Sequence, residues 1–399
     1  MTDAEVDQYA PPPRHWEADV LLRDGRAAHI RPIRPEDRDL LVDFYSRVSD
    51  QSKYYRFFSP MPHLSERDQI RFTSVDHVDR VAFIILVGGK MIAVGRYDKI
   101  REGEAEVAFL VQDSHQGRGI GQVLLEHLAQ AGRERGIERF VAEVLPENHA
   151  MIRTFKDAGY QVRSAFEDGV MGLEFAIDPT DTAMDVMMQR EHRAESASIE
   201  RFFRPRSVAV IGASRRHDTV GHLLVRNLVL GDFTGKVYVV NSSADAVAGV
   251  PAAKTGGGIP GGGGGALGAP PAHAGEGGVA LALHAVAAKG VHGLVVVSSG
   301  FAETGDEGRQ RQRRLVGLSR SYGLRLIGPN ALGVINTDPA FQINASLSSV
   351  MPPRGRAGFF CQSGALGTAI LEKVQNRGLG LSTFVSAGNR ADVSGNDLL

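Results

Sequence analysis

The segment Gln116-Gly117-Arg118-Gly119-Ile120-Gly121 decides the fold of the first part of the chain. It lies between an apolar run at residues 105–111, which predicts a strand, and residues 120–135, whose broad apolar face predicts a helix. Glycines at a strand-to-helix turn leave backbone N–H groups uncovered, and the helix N-terminus adds a partial positive charge. The segment therefore predicts a site for an anion such as a pyrophosphate, with a further contact from the side chain of Arg118.

The residues around this segment predict a mixed sheet with helices. Residues 81–87 and 91–97 are apolar runs joined by Gly88-Gly89-Lys90, which is typical of a hairpin. Residues 140–145 predict another strand, and residues 149–157 predict a short helix that ends at Gly159. A glycine turn taken alone is equally compatible with a tight turn that binds nothing, so the agreement of these neighbours favours the ligand site.

The order of these motifs resembles the GNAT acyltransferase superfamily over about residues 18–177. The resemblance rests on the strand at 105–111, the glycine segment, Asn148, and Gly159-Tyr160. Within the superfamily the chain most resembles bacterial protein lysine acetyltransferases of the Pat type, in which a GNAT domain is fused to an acyl-CoA-synthetase-like region. That fusion favours a protein lysine as substrate, for example in a metabolic enzyme such as an acyl-CoA synthetase.

The resemblance implies acetyl-CoA as the acyl donor and assigns its binding residues. The backbone of residues 109–111 would pair with the pantetheine arm, and an N–H there would polarise the acetyl carbonyl. The N–H groups of residues 116–121 would hold the pyrophosphate, and Asn148 would bond the pantetheine arm. The implied cofactor-binding residues are Phe109, Leu110, Val111, Gln116, Gly117, Arg118, Gly119, Ile120, Gly121, Gln122 and Asn148.

Acyl transfer to an amine needs a base, and Glu106 is the main candidate. It lies on the same predicted strand as Val111, between apolar neighbours that we expect to desolvate its carboxylate. The alternative is an edge-exposed or salt-bridged carboxylate, and Glu104 and Glu143 are weaker candidates. Many GNAT enzymes protonate the leaving thiolate with a tyrosine, but Phe155 occupies that position here, and we expect Tyr160 to pack in the core.

The sequence changes character after a polar, charged stretch at residues 178–200, which predicts a linker that could contain a short helix at 184–193. Strands at 207–211, 236–240, 291–297 and 325–327, with a helix at 221–230, predict a doubly wound parallel sheet. Gly212, Ala213, Ser214 and Gly221 form a nucleotide-phosphate turn. It lacks the Gly-x-Gly-x-x-Gly spacing and a clear acidic ribose partner, which disfavours NAD.

Further turns at Ser299-Gly300-Phe301, Gly328-Pro329-Asn330 and Gln362-Ser363-Gly364 accompany this one. Together they resemble the CoA-binding and ligase α-subunit-like domains of NDP-forming acyl-CoA synthetases, over about residues 201–399. The resemblance implies a second CoA or acyl-CoA site in this region.

The sequence departs from that second family in several places. Twelve of the 23 residues at 256–278 are glycine, which predicts a flexible insertion; a locally altered reading frame is the interpretation we favour. The sequence ends at Leu399, before the phosphohistidine of the family, and the ATP-grasp region is absent, so we expect no ligase activity. His222 and His284 are interpreted as ordinary helix-face residues, and Cys361 as a core residue.

Composition narrows the remaining classes of protein. The 399 residues include 43% hydrophobic and 23% charged residues, and the net charge is −1, which favours neither nucleic acid nor an acidic membrane as partner. A single cysteine can form no internal disulfide, and we predict no metal site. The polar, proline-rich start lacks a secretory pattern, and no apolar run reaches about 18 residues. We therefore expect a cytoplasmic protein that spans no membrane.

We thus expect an α/β protein: a GNAT mixed-sheet α+β domain, then a Rossmann-like CoA-binding domain and an incomplete flavodoxin-like domain. The expected boundaries are a disordered N-terminus at 1–17, the GNAT domain at 18–178, a linker at 179–200, and the two further domains at 201–330 and 331–399. The expected activity is acetyl transfer from acetyl-CoA to a protein lysine, with regulation by the C-terminal region left open. A small-amine acetyltransferase and a CoA-sensing protein without turnover are the alternatives; a Glu106 that faces the sulfur site favours catalysis.

Overall fold

The computed structural model describes residues 12–259, 264–268, 289 and 291–398, with the backbone alone at 264–268. The chain divides into two compact units. The first contains Met1–Asp24 and Ala28–Ala194, and the second contains Glu195–Leu399 together with Gly25–Ala27. Within the described part of the chain, no helix has the length and apolar character needed to cross a bilayer.

An eight-stranded sheet forms the centre of the N-terminal unit, with strand order β1-β2-β3-β4-β5-β6-β8-β7. The strands are β1 Ala18–Leu21, β2 Ala27–Pro32, β3 Arg80–Val87, β4 Lys90–Arg101, β5 Glu104–Val111, β6 Arg139–Val144, β7 Arg163–Glu167 and β8 Val170–Ala176. Strands β2 to β5 pair antiparallel, and β8 is antiparallel to both β6 and β7. Strands β5 and β6 run parallel, so the sheet is mixed.

Helices cover both faces of this sheet because its central strands are apolar on both faces. On β3, Val81, Phe83 and Ile85 belong to one core cluster, whereas Ala82 and Ile84 belong to another. The described helices of this unit are α1 Arg38–Ser46, α2 Asp50–Phe57, α3 Glu66–Thr73, α4 Ile120–Glu134 and α5 His149–Lys156, with short 3-10 helices at Arg14–Trp16, Pro35–Asp37 and Asp113–His115.

The elements predicted here from the sequence are confirmed to within a few residues. The hairpin predicted at 81–97 is β3 and β4, and its turn glycines Gly88 and Gly89 have φ values of 60° and 73°. The structure adds elements that were not predicted, namely β1, β2, β7, β8 and the helices α1, α2 and α3.

The N-terminus requires a correction. Residues 1–17 were expected to be disordered, but the described part of this segment contains the 3-10 helix Arg14–Trp16. Trp16 is buried, its ring lies 5.7 Å from that of Phe83, and its Nε1 donates to Glu134 Oε2 at 2.7 Å. A buried aromatic with a satisfied N–H orders this part of the segment. Residues 1–11 lie outside the described residues.

The predicted linker is not an irregular segment. Residues 181–203 form one helix, α6 Asp181–Phe203, which is much longer than the short helix considered for 184–193. In the N-terminal unit, the guanidinium of Arg190 on α6 donates to both carboxylate oxygens of Glu126 on α4, at 2.9 and 2.7 Å. This largely buried ion pair, together with the buried Ala183, packs the start of α6 against the rest of the N-terminal unit.

The C-terminal unit contains a seven-stranded sheet of order β11-β12-β10-β9-β13-β14-β15 and a four-stranded sheet of order β17-β16-β19-β18. The first sheet is parallel except for the β11–β12 pair, as expected for a doubly wound fold. Its elements are β9 Ser207–Ile211, α7 Val220–Leu230, β10 Lys236–Val240, β11 Ala246–Val247, β12 Val250–Ala253, β13 Gly264–Gly268, β14 Val291–Val296, α8 Asp306–Ser321 and β15 Arg325–Ile327, with 3-10 helices at Gly256–Gly258 and Ala302–Thr304.

The smaller sheet is mixed. Strand β16 pairs antiparallel with β17 and β19, whereas β18 and β19 are parallel. Its elements are β16 Gly333–Asn336, β17 Ile343–Ser346, β18 Arg354–Cys361, α9 Gly364–Asn376 and β19 Leu381–Ser386, followed by a 3-10 helix at Asn396–Leu398.

The glycine-rich stretch at 256–278 is partly described, and its described part corrects the expectation of a flexible insertion. Gly264–Gly268 forms β13, which pairs parallel with β9 on one side and with β14 on the other. Backbone pairing needs no side chain, so a sequence without apolar periodicity can still complete a sheet. Residues 260–263 and 269–278 lie outside the described residues.

Candidate active site

Strands β5 and β6 separate part-way along their length. Their parallel register runs from Glu104 opposite Arg139 to Glu106 opposite Val141. Beyond that point β5 continues to Val111 and β6 to Val144, and both continuing segments line a cleft of about 510 Å³. The separation leaves one edge of β5 without a strand partner inside the sheet, where an extended ligand can pair with the backbone.

The three strand residues assigned to the pantetheine arm lie along this open edge. Phe109, Leu110 and Val111 all line the cleft, and their other backbone edge pairs with β4. The side chains of Phe109 and Leu110 are buried in the two core clusters on opposite faces of the sheet. The sheet therefore fixes the backbone of this segment toward the cleft from both faces.

The glycine segment closes one end of the cleft. Gly117 and Gly119 have φ values of 76° and 78°, a backbone conformation that favours glycine, and Gly119 is the residue before α4. Gly121 has a different role, because a Cβ there would lie 2.9 Å from Thr154 Cγ2 and crowd the contact with α5. The segment residues that line the cleft are Gln116, Gly117, Gly119, Ile120 and Gly121, followed by Gln122.

The side chain of Arg118 does not line the cleft, although its sequence position predicted a phosphate contact. Its Nη1 lies 3.5 Å from Asp24 Oδ2 and 3.5 Å from His115 Nδ1, and its Nη2 donates to the carbonyl oxygen of Ser114. Arg23, the residue before Asp24, is the arginine of this region that lines the cleft.

Asn148 lies at the start of α5 and lines the opposite wall. Its Oδ1 accepts a hydrogen bond from the backbone N–H of Met151 at 3.2 Å, so the side chain caps the helix. This cap uses the amide oxygen and leaves the Nδ2 donor for another partner. Asn148 is thus held at the cleft by its own helix.

Glu106 is brought to the cleft, but its environment differs from the expected one. Its side chain is exposed and lines the cleft, with Asp98 as its cross-strand neighbour on β4. The apolar neighbours in sequence, Ala105 and Val107, are both buried in the core cluster that contains α4. Side chains alternate between the faces of a strand, so these neighbours do not surround the carboxylate.

A second charged residue of the cleft lies close enough to interact with Glu106. Arg56 on α2 lines the cleft and stacks on the ring of Phe57, with 5.1 Å between the guanidinium carbon and the ring centroid. Burial lowers the pKa of Arg56, and the negative charge of Glu106 opposes that shift. The carboxylate of Glu106 therefore lies in a charged environment and not in an apolar one.

Glu104 and Glu143, the two weaker candidate bases, differ in whether they reach the cleft. Glu104 is buried, accepts a hydrogen bond from Arg101 at 2.7 Å, and is not among the residues that line the cleft. Glu143 on β6 is exposed and lines the cleft. Geometry thus leaves Glu106 and Glu143 as the carboxylates of the three that face the ligand space.

The two aromatic residues have different positions. Phe155 is buried at the cleft wall, with its ring 5.5 Å from Phe109 and 5.6 Å from Phe175, and it carries no transferable proton. Tyr160 packs 5.4 Å from Phe175 in the same cluster, and burial raises its pKa. The expected core position of Tyr160 is confirmed.

Sequence reasoning missed the wall that α2 contributes. Gln51, Ser52, Tyr55, Arg56 and Phe58 line the cleft opposite β5. The sequence around 49–58 offers a helix-capping serine as its signal, but nothing in it shows which strand the helix covers. That relation depends on packing between residues about fifty positions apart.

Asp113 fixes this wall to the loop after β5. It accepts hydrogen bonds from the backbone N–H of Ser49 at 2.8 Å and from the hydroxyls of Ser49 and Ser52 at 2.6 and 2.7 Å. Burial raises the pKa of Asp113, but these hydrogen bonds outweigh it and leave the pKa lowered. The ionised carboxylate therefore holds the start of α2 beside the cleft.

The predicted turn in the C-terminal unit adopts the expected backbone. Gly212 has a φ of 79°, and a Cβ on Gly221 would lie 2.5 Å from the Cα of Ala213, so both positions require glycine. The Asn241 side chain donates to the carbonyl of Ala213, and His222 Nδ1 lies 3.2 Å from the carbonyl of Ser214.

Two histidines and the cysteine of the C-terminal region had predicted positions. His222 is buried and bonds the turn, with its Nε2 also 3.0 Å from His217 Nδ1, so it is more than an ordinary helix-face residue. His284 lies outside the described residues. Cys361 is confirmed as a core residue, and burial raises the pKa of its thiol. Among the described residues, no group of three or more His, Cys, Asp and Glu could hold a metal ion.

Three family models match parts of the chain. The acetyltransferase (GNAT) family matches residues 44–160, a CoA binding domain matches residues 206–261, and a succinyl-CoA ligase like flavodoxin domain matches residues 354–399. The first match contains all the residues that line the cleft except Arg23, and the other two matches lie in the C-terminal unit.

The similar proteins are of two kinds, an acetyltransferase and ADP-forming acetate–CoA ligases. An acetyltransferase from Pseudomonas aeruginosa is 32% identical over 142 residues, which are 34% of this chain and 75% of the relative. An ADP-forming acetate–CoA ligase I from Archaeoglobus fulgidus is 41% identical over 50% of this chain and 28% of its own length. The α subunit of the ADP-forming acetate–CoA ligase II from Pyrococcus furiosus is 39% identical over 50% of this chain and 42% of its own length.

The chain spans less than half the length of those two ligase relatives. Among solved structures, the GNAT domain of S. lividans PAT is 57% identical, with a TM-score of 0.40, over 42% of this chain and 99% of that domain. The GNAT family model covers most of the residues that line the cleft. The chain belongs to the GNAT acetyltransferase family, with CoA-binding and succinyl-CoA-ligase-like flavodoxin domains after its GNAT domain.

Proposed function

We propose that this chain transfers an acetyl group from acetyl-CoA to a lysine side chain of a protein. The observation that carries the proposal is the separation of β5 and β6 after Glu106, directly beside the glycine segment that precedes α4. One opening thus offers an unpaired strand edge for an extended arm and a helix N-terminus for an anion. Pantetheine with its pyrophosphate has both features in one molecule.

The donor side of the site uses the residues assigned from the sequence. The backbone N–H groups of residues 116–121 bind the pyrophosphate, since the positive φ values of Gly117 and Gly119 turn the backbone outward without a Cβ. The open edge at residues 109–111 pairs with the pantetheine amides, and a backbone N–H there polarises the acetyl carbonyl. Asn148 contributes its Nδ2 donor from the opposite wall.

Glu106 serves as the general base. A lysine amine with a pKa of about 10.4 is mostly protonated at pH 7, so it must lose a proton before it attacks. Glu106 takes that proton, directly or through a water molecule. The neutral nitrogen then attacks the thioester carbonyl, becomes positively charged, and gives up a further proton to water. The carbon–sulfur bond breaks, the amide forms, and the thiolate of CoA leaves. Water returns a proton to the thiolate, because the side chain of Phe155 has none to give.

The acceptor side favours a lysine carried by a protein. Tyr55 on α2 and Phe58, the residue after α2, line the same cleft as Glu106, and Phe58 is 36% exposed. Such aromatic side chains at a rim can contact both the methylene stem of a lysine and the surface around it. The fused C-terminal region, and the resemblance to Pat-type enzymes, support the same substrate class, with a lysine of an acyl-CoA synthetase as the example to test.

Two alternatives to protein lysine acetylation can be distinguished by experiment. A small-amine acetyltransferase would use the same donor site, and a CoA-sensing protein would bind without turnover. The position of Glu106 in the lining of the cleft favours turnover, since a sensor needs no base at the acceptor side. A Glu106 carboxylate that points to bulk solvent would favour sensing.

The test is mass spectrometry of a cell lysate incubated with the purified full-length chain and isotope-labelled acetyl-CoA. We expect labelled lysines in proteins above the level produced by the Gly119→Asp variant, whose donor site is blocked. Label found only in small amines would favour the first alternative. Tight acetyl-CoA binding without any label would favour the second.

For the C-terminal unit we propose a second site for CoA or an acyl-CoA at Gly212, Ala213, Ser214 and Gly221. The support is the positive φ of Gly212 and the close approach of α7 to the turn at Gly221. A full-length Gly119→Asp variant isolates this site in calorimetry, because the first donor site is then closed. No remaining CoA binding would contradict the proposal.

A further inference from the structure

The turn between β1 and β2 lies against the glycine segment. The backbone N–H of Arg23 donates to the carbonyl oxygen of Arg118 at 3.0 Å. A Cβ placed on Gly119 would meet the Cβ of Arg23 at 3.8 Å, so the two backbones run within van der Waals reach. The turn is therefore a wall of the anion-binding end of the cleft, although it is far from that segment in sequence.

The two arginines at this contact have different partners. Arg118 is held near Asp24, His115 and the Ser114 carbonyl. Arg23 is exposed and lines the cleft, and within the described part of the chain its guanidinium has neither a hydrogen bond nor an ion pair. The guanidinium N–H groups of Arg23 are therefore available to an anion bound at the glycine segment.

The remaining arginines of the cleft have other positions. Arg56 on α2 interacts with Glu106 at the acceptor side. Arg153 lies on α5, one residue before Thr154, which packs on Gly121. Arg23 is the arginine that touches the backbone of the glycine segment itself. Charge-assisted bonds from a guanidinium to phosphate are strong and planar, so a free arginine beside a loop of N–H groups suits a pyrophosphate.

We propose that Arg23 binds the pyrophosphate of CoA, whereas Asp24 holds the guanidinium of Arg118 outside the cleft. The β1–β2 turn is then part of the donor site. Arg118, the arginine within the glycine segment, stabilises the contact between that segment and the turn through Asp24. This inference rests on the proposed function only in taking CoA as the ligand of the cleft.

The test is calorimetric titration of full-length variants with CoA and with 3′-dephospho-CoA. Arg23→Ala should weaken binding of both ligands by about tenfold, as expected for the loss of one charge-assisted contact, and Arg23→Lys should recover part of the loss. Arg118→Ala should weaken binding less than Arg23→Ala does. Arg163→Ala, which removes an exposed arginine from the edge strand β7, is the matched control and should bind like the wild type.

Salt gives an independent readout of the same contact. Raising the ionic strength should weaken the wild type more than Arg23→Ala, because the variant has already lost the screened charge pair. Gly119→Asp measures any binding elsewhere in the chain, and that signal is subtracted from each titration. Thermal unfolding of each variant separates loss of a contact from loss of the fold.

Unchanged CoA affinity in Arg23→Ala would overturn the inference, as would a larger loss in Arg118→Ala. A loss seen with CoA but absent with 3′-dephospho-CoA would overturn the pyrophosphate assignment, because it would place the contact at the 3′-phosphate. Failure of the proposed function looks different: the wild type would bind CoA normally, with the expected Arg23 effect, yet label no lysine.

Discussion

Two glycine turns of this chain connect a strand to a helix, and they differ in what surrounds them. The turn at residues 116–121 follows β5, which has lost its partner β6 after Glu106. The turn at residues 212–214 follows β9, which stays paired with β10 and β13 up to Ile211. Similar local sequences thus open onto a cleft in one unit and onto a continuous sheet edge in the other.

The polar groups around the two turns also differ. In the C-terminal unit the carbonyls of Ala213 and Ser214 are bonded by the side chains of Asn241 and His222. In the N-terminal unit the carbonyl of Arg118 accepts from the backbone N–H of Arg23, and among the described residues the guanidinium of Arg23 has no hydrogen bond or ion pair. The strand partner, and not the glycine spacing, therefore decides how much room each of these turns offers.

The largest expected effect comes from Gly119→Asp. The nearest atoms to a new Cβ lie 3.8 and 4.0 Å away, and an acidic residue before a helix is favourable, so we expect the fold to survive despite the φ of 78°. The new carboxylate would occupy the anion site and repel the pyrophosphate. Calorimetry should show no acetyl-CoA binding at this site.

Gly136→Asp is the matched control for that variant. Gly136 also has a positive φ, of 75°. No atom lies within 4 Å of a new Cβ there, and the residue lies just after α4, outside the cleft. It should bind acetyl-CoA like the wild type. Equal affinity in Gly119→Asp and Gly136→Asp would contradict the assignment of the anion site.

The second effect in size concerns Glu106→Gln. Glutamine keeps the shape of the side chain and removes its basicity, so kcat should fall by about 10²–10⁴-fold while acetyl-CoA affinity changes little. Steady-state rates with a lysine-containing acceptor give kcat, and calorimetry gives the affinity. The C-terminal turn has no counterpart of this residue in its predicted site, so the variant also tests whether turnover belongs to the first turn alone.

Glu104→Gln provides the control. It makes the same chemical change two residues away on β5, where the side chain is buried against Arg101 and away from the cleft. We expect its kcat to stay near the wild-type value even if its stability falls. A Glu106→Gln enzyme that keeps most of its kcat would remove Glu106 from the mechanism.

The sequence alone predicted the parts of the site that are local. The glycine turn and the start of α4 at Ile120 need only the positive φ of glycine and helical periodicity, and both are confirmed. The environment of Glu106 was predicted wrongly because its apolar sequence neighbours point to the opposite face of the strand. Arg23 and α2 reach the cleft through contacts distant in sequence, which no local pattern encodes.

The same limit applies in the C-terminal unit. The first and last residues of β9 and β10 were predicted correctly, since each strand is a short apolar run between turn residues. The strand Gly264–Gly268 was missed because its glycines carry no apolar signal, and it is defined by backbone pairing with β9 and β14. Pairing of this kind depends on strands that are far away in sequence.

The smallest expected effect on acetyl transfer is that of Gly221→Ala. A Cβ at this position would lie 2.5 Å from the Cα of Ala213, so α7 must move away from the turn, at a cost of about 1–3 kcal/mol in stability. We expect a lower unfolding temperature and, in the Gly119→Asp background, weaker CoA binding by the remaining site. The atoms that such a Cβ would meet belong to the backbone of Gly212 and Ala213, so shortening the side chain of Ala213 would not restore either loss.

The kinetics of Gly221→Ala then test whether the second turn acts on the first. A ligand can shift activity only if it binds two conformations with different affinity. The two turns belong to separate compact units, so we expect the rate of lysine acetylation to rise hyperbolically with acetyl-CoA in both the wild type and Gly221→Ala, with kcat equal within about twofold. A sigmoidal curve in the wild type that becomes hyperbolic in Gly221→Ala would show coupling between the two sites. The C-terminal turn would then be regulatory. The two turns would differ in role, with acetyl-CoA or CoA bound as an effector at the second site and acetyl-CoA consumed at the first.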